Sequence, residues 1–244
     1  MSANATASSD GHTAKKCIPE YCFHAFDALY CSLLNADPIT PTFVNDECPL
    51  FVTWNIRSSR GSSGYHLRGC IGSFEPQSLH KGLAEYALIS AFRDSRFRQV
   101  EKKELPRLQC GVSLLVEFED AESYLDWTVG VHGIYISFPH PSLLPLSSTS
   151  SVPSPLSSQQ YLPSTRVSSK RQLTATYLPQ VMPEQGWSKV EAIDSAIRKA
   201  GWDGKITEEV RRSIHLRRYQ SAMAEATWDE YVAWREANGA EATL

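Results

Sequence analysis

Leu50, Val52, Trp54 and Ile56 occupy every second position of one run, and a Gly/Ser-rich stretch at residues 58–64 separates it from L-R-G-C-I-G at 67–72. Apolar side chains at alternate positions share one face of an extended strand, and two such runs joined by a turn read as a β-hairpin. A hairpin with one apolar face must bury it against another layer, which narrows the fold to a sheet backed by other elements. On the second strand the same alternation places Leu67 and Ile71 on one side and His66, Arg68 and Cys70 on the other. Gly69 and Gly72 flank the thiol, and glycine inside a strand marks a bulge or a place where something approaches closely. A cysteine beside a guanidinium on such an open surface is a candidate thiolate, because a nearby cation favours the charged form. The alternative is a small packed thiol whose neighbour Arg68 pairs with a carboxylate from another strand.

The remaining elements interleave irregularly. Pro19 starts a helix through Cys31, since its missing N–H costs nothing at the first helical position. Ser78 reads as the cap of a helix carrying Leu79, Leu83, Tyr86, Ile89 and Phe92. Cys110, Val112, Leu114 and Val116 alternate as a strand, as do residues 133–138 and 172–178, and Ile214, Leu216 and Arg218 suggest a late strand. Ser188 with Glu191 and Thr227 with Glu230 are capping-box pairs opening two further helices, and Gly201 closes the first of these. The expected class is α+β, an antiparallel sheet flanked by helices.

Residues 1–16 are small and polar with no apolar stretch, so they read as a disordered tail rather than a secretory signal. With no apolar run of membrane-spanning length, the expected location is cytoplasmic or nuclear and no membrane partner is expected. Residues 141–170 shift to serine and proline without an acidic side chain. They read as a disordered insertion within a single domain at 17–238, joining two strands of a hairpin. Six cysteines without a signal sequence read as free thiols, and no C-x-x-C pair supports a metal site.

Four local signatures follow one another: LRGCIG at 67–72, DSRF at 94–97, GVHGI at 130–134, and LPQV at 178–181 leading to Trp187. Together they resemble the AMMECR-one domain family, over roughly Cys22 to Trp234 apart from the Ser/Pro-rich stretch, which is not part of the common pattern. The resemblance implies an α+β domain with two lobes around a cleft and the LRGCIG strand near it. It names no established activity and no cofactor. In some microbes such domains are fused with, or encoded beside, a Memo-like domain and a radical S-adenosylmethionine enzyme. That association implies a role on a nucleobase or nucleic-acid-related substrate.

The candidate catalytic residues are Cys70, Arg68 and His132. A histidine in a glycine-flanked turn has a ring able to serve as acid or base near neutral pH, and reaching Cys70 would make a Cys–His pair. Gly69, Gly72, Tyr177 and Gln180 are the candidate binding residues, with Tyr177 and Gln180 presenting polar tips beside Pro179. Asp94 and Arg96 read as a local pair closing the helix after Ser78. Arg211, Arg212, Arg217 and Arg218 with Tyr219 form a candidate single-strand-binding patch, set against the simpler expectation of a solvated face paired with Glu208 and Glu209. Two functions follow: a thiol-centred enzyme, or a non-catalytic binding or scaffold module for a protein partner.

Overall fold

The computed structural model describes residues 16–58, 64–141 and 172–242. The expected tail at 1–16 lies almost wholly, and the insertion at 141–170 mostly, outside the described residues. Six strands, β1 (Glu47–Arg57), β2 (Tyr65–Ser78), β3 (Leu108–Asp120), β4 (Gly133–Pro139), β5 (Gln172–Tyr177) and β6 (His215–Thr227), hydrogen-bond in the order β2-β1-β3-β6-β4-β5 as an antiparallel sheet accompanied by helices, the α+β class expected. The chain divides into two units: residues up to Glu117 together with those from Ser221 onward, and Phe118–Gln220. The strands β3 (Leu108–Asp120) and β6 (His215–Thr227) run from one unit into the other.

The first unit is built on the hairpin of β1 (Glu47–Arg57) and β2 (Tyr65–Ser78), backed by α1 (Pro19–Leu34), α2 (Leu79–Phe92) and α6 (Trp228–Ala237). Burial along β1 alternates strictly, with Cys48, Leu50, Val52, Trp54 and Ile56 inside. Trp54 is fully buried, donates its indole N–H to the carbonyl of Ala87 in α2 at 3.0 Å, and meets Phe26 of α1 edge-on at 4.9 Å. Burying a large apolar side chain of this kind contributes about 1.5–3 kcal/mol, so these contacts hold both helices to the sheet. Pro19 opens α1 as expected, and Asn35 closes it in the left-handed region at φ 53°. At the start of α2, Ser78 does not cap the helix. Its hydroxyl donates to Asn45 Oδ1 at 2.8 Å, and that same oxygen accepts the His80 N–H at 2.9 Å, so the cap comes from a residue far back in the chain.

Inside the same unit, α1 and α6 are joined by a buried ion pair. Asp27 Oδ1 accepts from Arg235 and from the Tyr231 hydroxyl (2.9 Å), while Oδ2 accepts the Ile39 N–H at 2.7 Å. Arg235 also donates to the carbonyls of Asp37 and Glu241, both at 3.0 Å, and lies over the ring of Tyr30. Both charged side chains are almost wholly withdrawn from solvent. All six cysteines are free thiols, and all six lie in this unit, with Cys22, Cys48 and Cys110 buried in its core.

The second unit pairs β4 (Gly133–Pro139) with β5 (Gln172–Tyr177) and packs α4 (Lys189–Lys199) beside them, with short helices α3 (Val181–Gln185) and α5 (Glu208–Arg212). The β4–β5 register sets Ile136 opposite Ala175, so the two expected strands do form a hairpin across the long intervening stretch. Ser188 and Glu191 cap α4 reciprocally, and Gly201 follows it at φ 103°, a conformation that favours glycine. Ile134, Ile136, Phe138, Met182, Ile193 and Ile197 form the core of this unit. Opposite Gly133, the ring of Tyr219 lies where a Cβ would sit, 2.4 Å from it, so only glycine fits that strand position.

Candidate functional site

The strand pairing breaks register at the motif. Trp54 faces Gly69 and Asn55 faces Leu67, so Arg68 is the extra residue of a β-bulge. The bulge overturns the expected alternation that set Arg68 beside Cys70. Arg68 is buried, and its guanidinium makes four hydrogen bonds elsewhere: Nε and Nη2 to the two oxygens of Glu104 (2.9 and 3.0 Å), Nη1 to the Arg98 carbonyl (2.6 Å) and Nη2 to the Gln99 carbonyl (3.0 Å). Glu104 Oε2 also accepts the Glu101 N–H at 2.8 Å, inside a capping box at a 3-10 turn over Lys102–Arg107. This fork-to-carboxylate geometry fastens that turn and the loop before it to β2.

The guanidinium near Cys70 is that of Arg96. Asp94 accepts the Cys70 N–H at 2.9 Å and receives Arg96 in a two-pronged pair at 2.9 and 2.6 Å, while Arg96 Nη2 donates to the Cys70 carbonyl at 3.2 Å. The local Asp94–Arg96 pair expected at the end of α2 is therefore real, and it also clasps the backbone of the motif strand. On the other side of the strand pair, the Thr53 hydroxyl donates to Cys70 Sγ at 3.1 Å. Burial pushes the Cys70 thiol up from its ordinary value; the Thr53 hydrogen bond and Arg96 pull it down, Asp94 pushes it up, and the net direction is upward. An upward shift is the reverse of what activates a thiol nucleophile.

The flanking glycines do not open the strand. A Cβ on Gly69 would lie 2.2 Å from the Ser90 carbonyl oxygen of α2, and one on Gly72 would lie 2.2 Å from the Leu50 carbonyl oxygen and 2.3 Å from the Phe51 ring. The close approach expected from sequence exists, and what approaches is the protein's own backbone.

The hydrogen bonds from Arg96 and the Cys70 N–H hold the Asp94 carboxyl down at about 2, with burial opposing them. A carboxyl lowered in the folded state contributes stability above its unfolded value, near 3.8, and that contribution is lost as pH falls toward the folded value. Acid titration by circular dichroism is expected to show wild type losing more stability between about pH 4 and pH 2 than Asp94→Asn does. Equal slopes for the two proteins would remove this carboxylate from the acid response.

The remaining candidates lie in the second unit, whereas Cys70 is in the first. His132 is tied into its own turn: its ring Nδ1 accepts the Thr128 backbone N–H at 2.9 Å and its backbone N–H donates to the Thr128 carbonyl at 2.9 Å. Burial lowers the His132 pKa, and Arg218 adds to the effect. The Tyr177 hydroxyl shares a hydrogen bond with Ser195 of α4 at 2.9 Å, and Lys199 Nζ sits 4.4 Å from the ring centroid. Gln180 precedes α3, and its carbonyl accepts the Glu184 N–H.

The arginine patch of this unit is neutralised by its neighbours. Arg211 pairs with Asp194, Arg212 with Glu208, Arg217 with Asp120, and Arg218 with Glu119 and Asp126, at distances from 2.7 to 3.1 Å. Tyr219, expected as a stacking ring, is fully buried, with Phe118 stacked on it. The solvated, carboxylate-paired face is what the structure contains.

The bulge that buries Arg68 against Glu104, and the clasp from Asp94 and Arg96, join LRGCIG and DSRF into one unit of structure. The AMMECR1 family model matches residues 19–224, a span containing both segments. The chain belongs to the AMMECR1 family. An uncharacterized protein of Arabidopsis thaliana is 43% identical over 89% of this chain and 89% of its own length. An uncharacterized protein of Schizosaccharomyces pombe is 32% identical over 87% of this chain and 94% of its own length. The crystal structure of an uncharacterized protein from Pyrococcus horikoshii superposes with a TM-score of 0.58 at 21% identity, covering 84% of this chain and 89% of that one, a likeness of fold.

Arg68 does pair with a carboxylate, as the packed-thiol alternative expected, but that carboxylate is Glu104 in the 3-10 turn rather than one on another strand, and neither Glu104 nor Thr53 is among the candidates read from the sequence. A signal existed for Glu104, since an arginine beside apolar neighbours in a strand interior calls for a carboxylate. Nothing in the spacing said which carboxylate. Among the described residues, no helix is long and apolar enough to cross a membrane.

Proposed function

We propose that this protein is a non-catalytic binding module for a protein partner, with the motif segments serving as the frame of the binding unit. One observation carries this reading: the polar and charged groups of LRGCIG and DSRF are already engaged within the protein. Arg68 is satisfied by Glu104 and two carbonyls, Asp94 by Arg96 and the Cys70 N–H, and burial pushes the Cys70 thiol up. A thiol that attacks a substrate needs a lowered pKa or a base in reach.

The second reading, a thiol-centred enzyme using Cys70, draws support from the partial exposure of Cys70 and the Thr53 hydroxyl directed at its sulfur. The two readings part on Cys70→Ser. The binding-module reading expects the variant to keep full function in cellular complementation and to melt in one cooperative transition, any fall in Tm reflecting the hydroxyl placed where a part-buried thiol packs. It also expects the native thiol to react with a maleimide no faster than free cysteine. Loss of complementation by a folded Cys70→Ser protein, together with a faster-than-free thiol, would transfer the case to the enzyme.

A further inference from the structure

One corner of the first unit contains two histidines that the motif site does not use. His24 of α1 and His80 of α2 lie with ring centroids 6.4 Å apart, and the Phe43 ring stands edge-on to both, at 5.7 and 4.9 Å. Tyr21 of α1 meets the same phenyl ring edge-on at 4.8 Å. Each histidine faces a backbone carbonyl through Nε2: His24 that of His80 at 2.8 Å, and His80 that of Phe43 at 2.7 Å. A carbonyl only accepts, so both Nε2 atoms carry a proton, and Nδ1 of each neutral ring is a bare acceptor. His24 Nδ1 is one of two buried side-chain polar atoms without a hydrogen-bond partner among the described residues. In the neutral ring this nitrogen leaves a lone pair unused; in the cation it would bury an N–H and a charge with no acceptor. The charged and titratable groups acting on the ring come from both helices. Asp27 of α1 favours the cation, but its oxygens are already taken by Arg235, Tyr231 and the Ile39 N–H. His80 of α2 opposes the cation, and the segment at 36–46 faces it with the uncharged Phe43 ring. Burial outweighs the help of the His80 carbonyl and Asp27, so the His24 pKa falls below its ordinary 6.5.

We propose that His24 is a proton-sensitive latch: its neutral ring ties α1 to the first turn of α2 and helps enclose Phe43, and protonation drives the ring out and frees the segment at 36–46. The rest of the fastening runs through the same turn of α2. Asn45 Oδ1 accepts the Ser78 hydroxyl and the His80 N–H, and the Leu79 N–H donates to the Asp46 carbonyl at 2.8 Å. Loosening that turn therefore loosens residues 43–46 with it. Beside Phe43, Val44 is already 75% exposed, so release adds a phenyl ring to an apolar point on the surface. A histidine whose folded pKa is lowered contributes stability above its unfolded value, and the contribution is lost as pH falls from about 6.5 toward the folded value. The latch is closed at neutral pH and opens on mild acidification, well above the range in which Asp94 responds. It holds whether the motif strand frames a binding unit or serves an enzyme.

The test is native-state hydrogen exchange on the full chain at about pH 7.5 and 5.5, read by mass spectrometry and corrected for the pH dependence of intrinsic exchange. Peptides covering residues 39–46 and 78–82 are expected to lose protection by about threefold or more on acidification, while the α4 peptide at 189–199 changes by less than about 1.5-fold. His24→Gln, whose amide can still donate one N–H to the His80 carbonyl and stays neutral, is expected to abolish the loss. His80→Gln is expected to retain most of it, since the titrating ring is still present. Circular dichroism melting checks that both variants are folded, and NMR titration of the His24 ring in wild type supplies a reading that needs no variant. No loss in wild type, an equal loss in His24→Gln, removal of the loss by His80→Gln alone, or a His24 midpoint at or above 6.5 overturns the proposal.

Discussion

Replacing Arg235 with methionine is expected to destabilise the first unit by about 3–5 kcal/mol, because it removes one member of a buried pair and leaves the other uncompensated. Asp27 would keep the Tyr231 hydroxyl and the Ile39 N–H but lose its only cationic partner among the described residues. In thermal melts this corresponds to a fall in Tm of roughly 10 °C. A double variant, Asp27→Leu with Arg235→Met, is expected to recover most of the loss, since an apolar pair of similar volume has no charge to strand. If the single variant melts within about 2 °C of wild type, the pair is worth no more than a surface bridge. Reaching deep into the interface of α1 and α6, Arg235 also donates to two backbone carbonyls, so part of the cost is the loss of those acceptors' partner.

The second large effect is expected at Gly69. Alanine there would place a methyl carbon 2.2 Å from a carbonyl oxygen of α2, and neither that backbone nor the strand can move aside like the end of a flexible side chain. Overpacking of this kind costs about 3 kcal/mol or more, so Gly69→Ala is expected to unfold at markedly lower denaturant or to accumulate insoluble. Cys70→Ala, one residue on, is expected to cost much less than Gly69→Ala by the same denaturant midpoint. That ranking is informative. If the motif exists to present its thiol, the glycine should matter for activity more than for stability; if it exists to let helix and strand backbones touch, the glycine dominates stability and the sulfur does not.

Much of the fold was legible because its signals are local and borne by the backbone. Alternation in β1, the proline opening α1, the capping boxes at Ser188 and Thr227, and the hairpin of residues 133–138 with 172–178 each need only a few neighbouring residues to be read. The misreadings share a cause. Strict alternation through LRGCIG failed at Arg68, because a bulge adds a residue without altering composition or period. Ser78 looked like a cap, yet Asn45 supplies it, and the distance along the chain hides that exchange. The Arg68–Glu104 and Asp27–Arg235 pairs are likewise invisible in spacing, since ion pairing across a fold has no period. His132 was correctly placed in a turn, and its ring nitrogen serves that turn. The same glycines read as openness from sequence because an absent side chain signals equally well a vacant space and a filled one.

The confinement of every cysteine to one of the two units has a practical corollary. Because Cys22, Cys48 and Cys110 are fully shielded there, alkylation of those sulfurs in native buffer proceeds only when that unit opens. The polypeptide thus carries its own reporter, blind to events in residues 118–220, and pulse-labelling followed by mass spectrometry would time the loosening of that one unit under heat, urea or a bound partner without introducing any foreign probe.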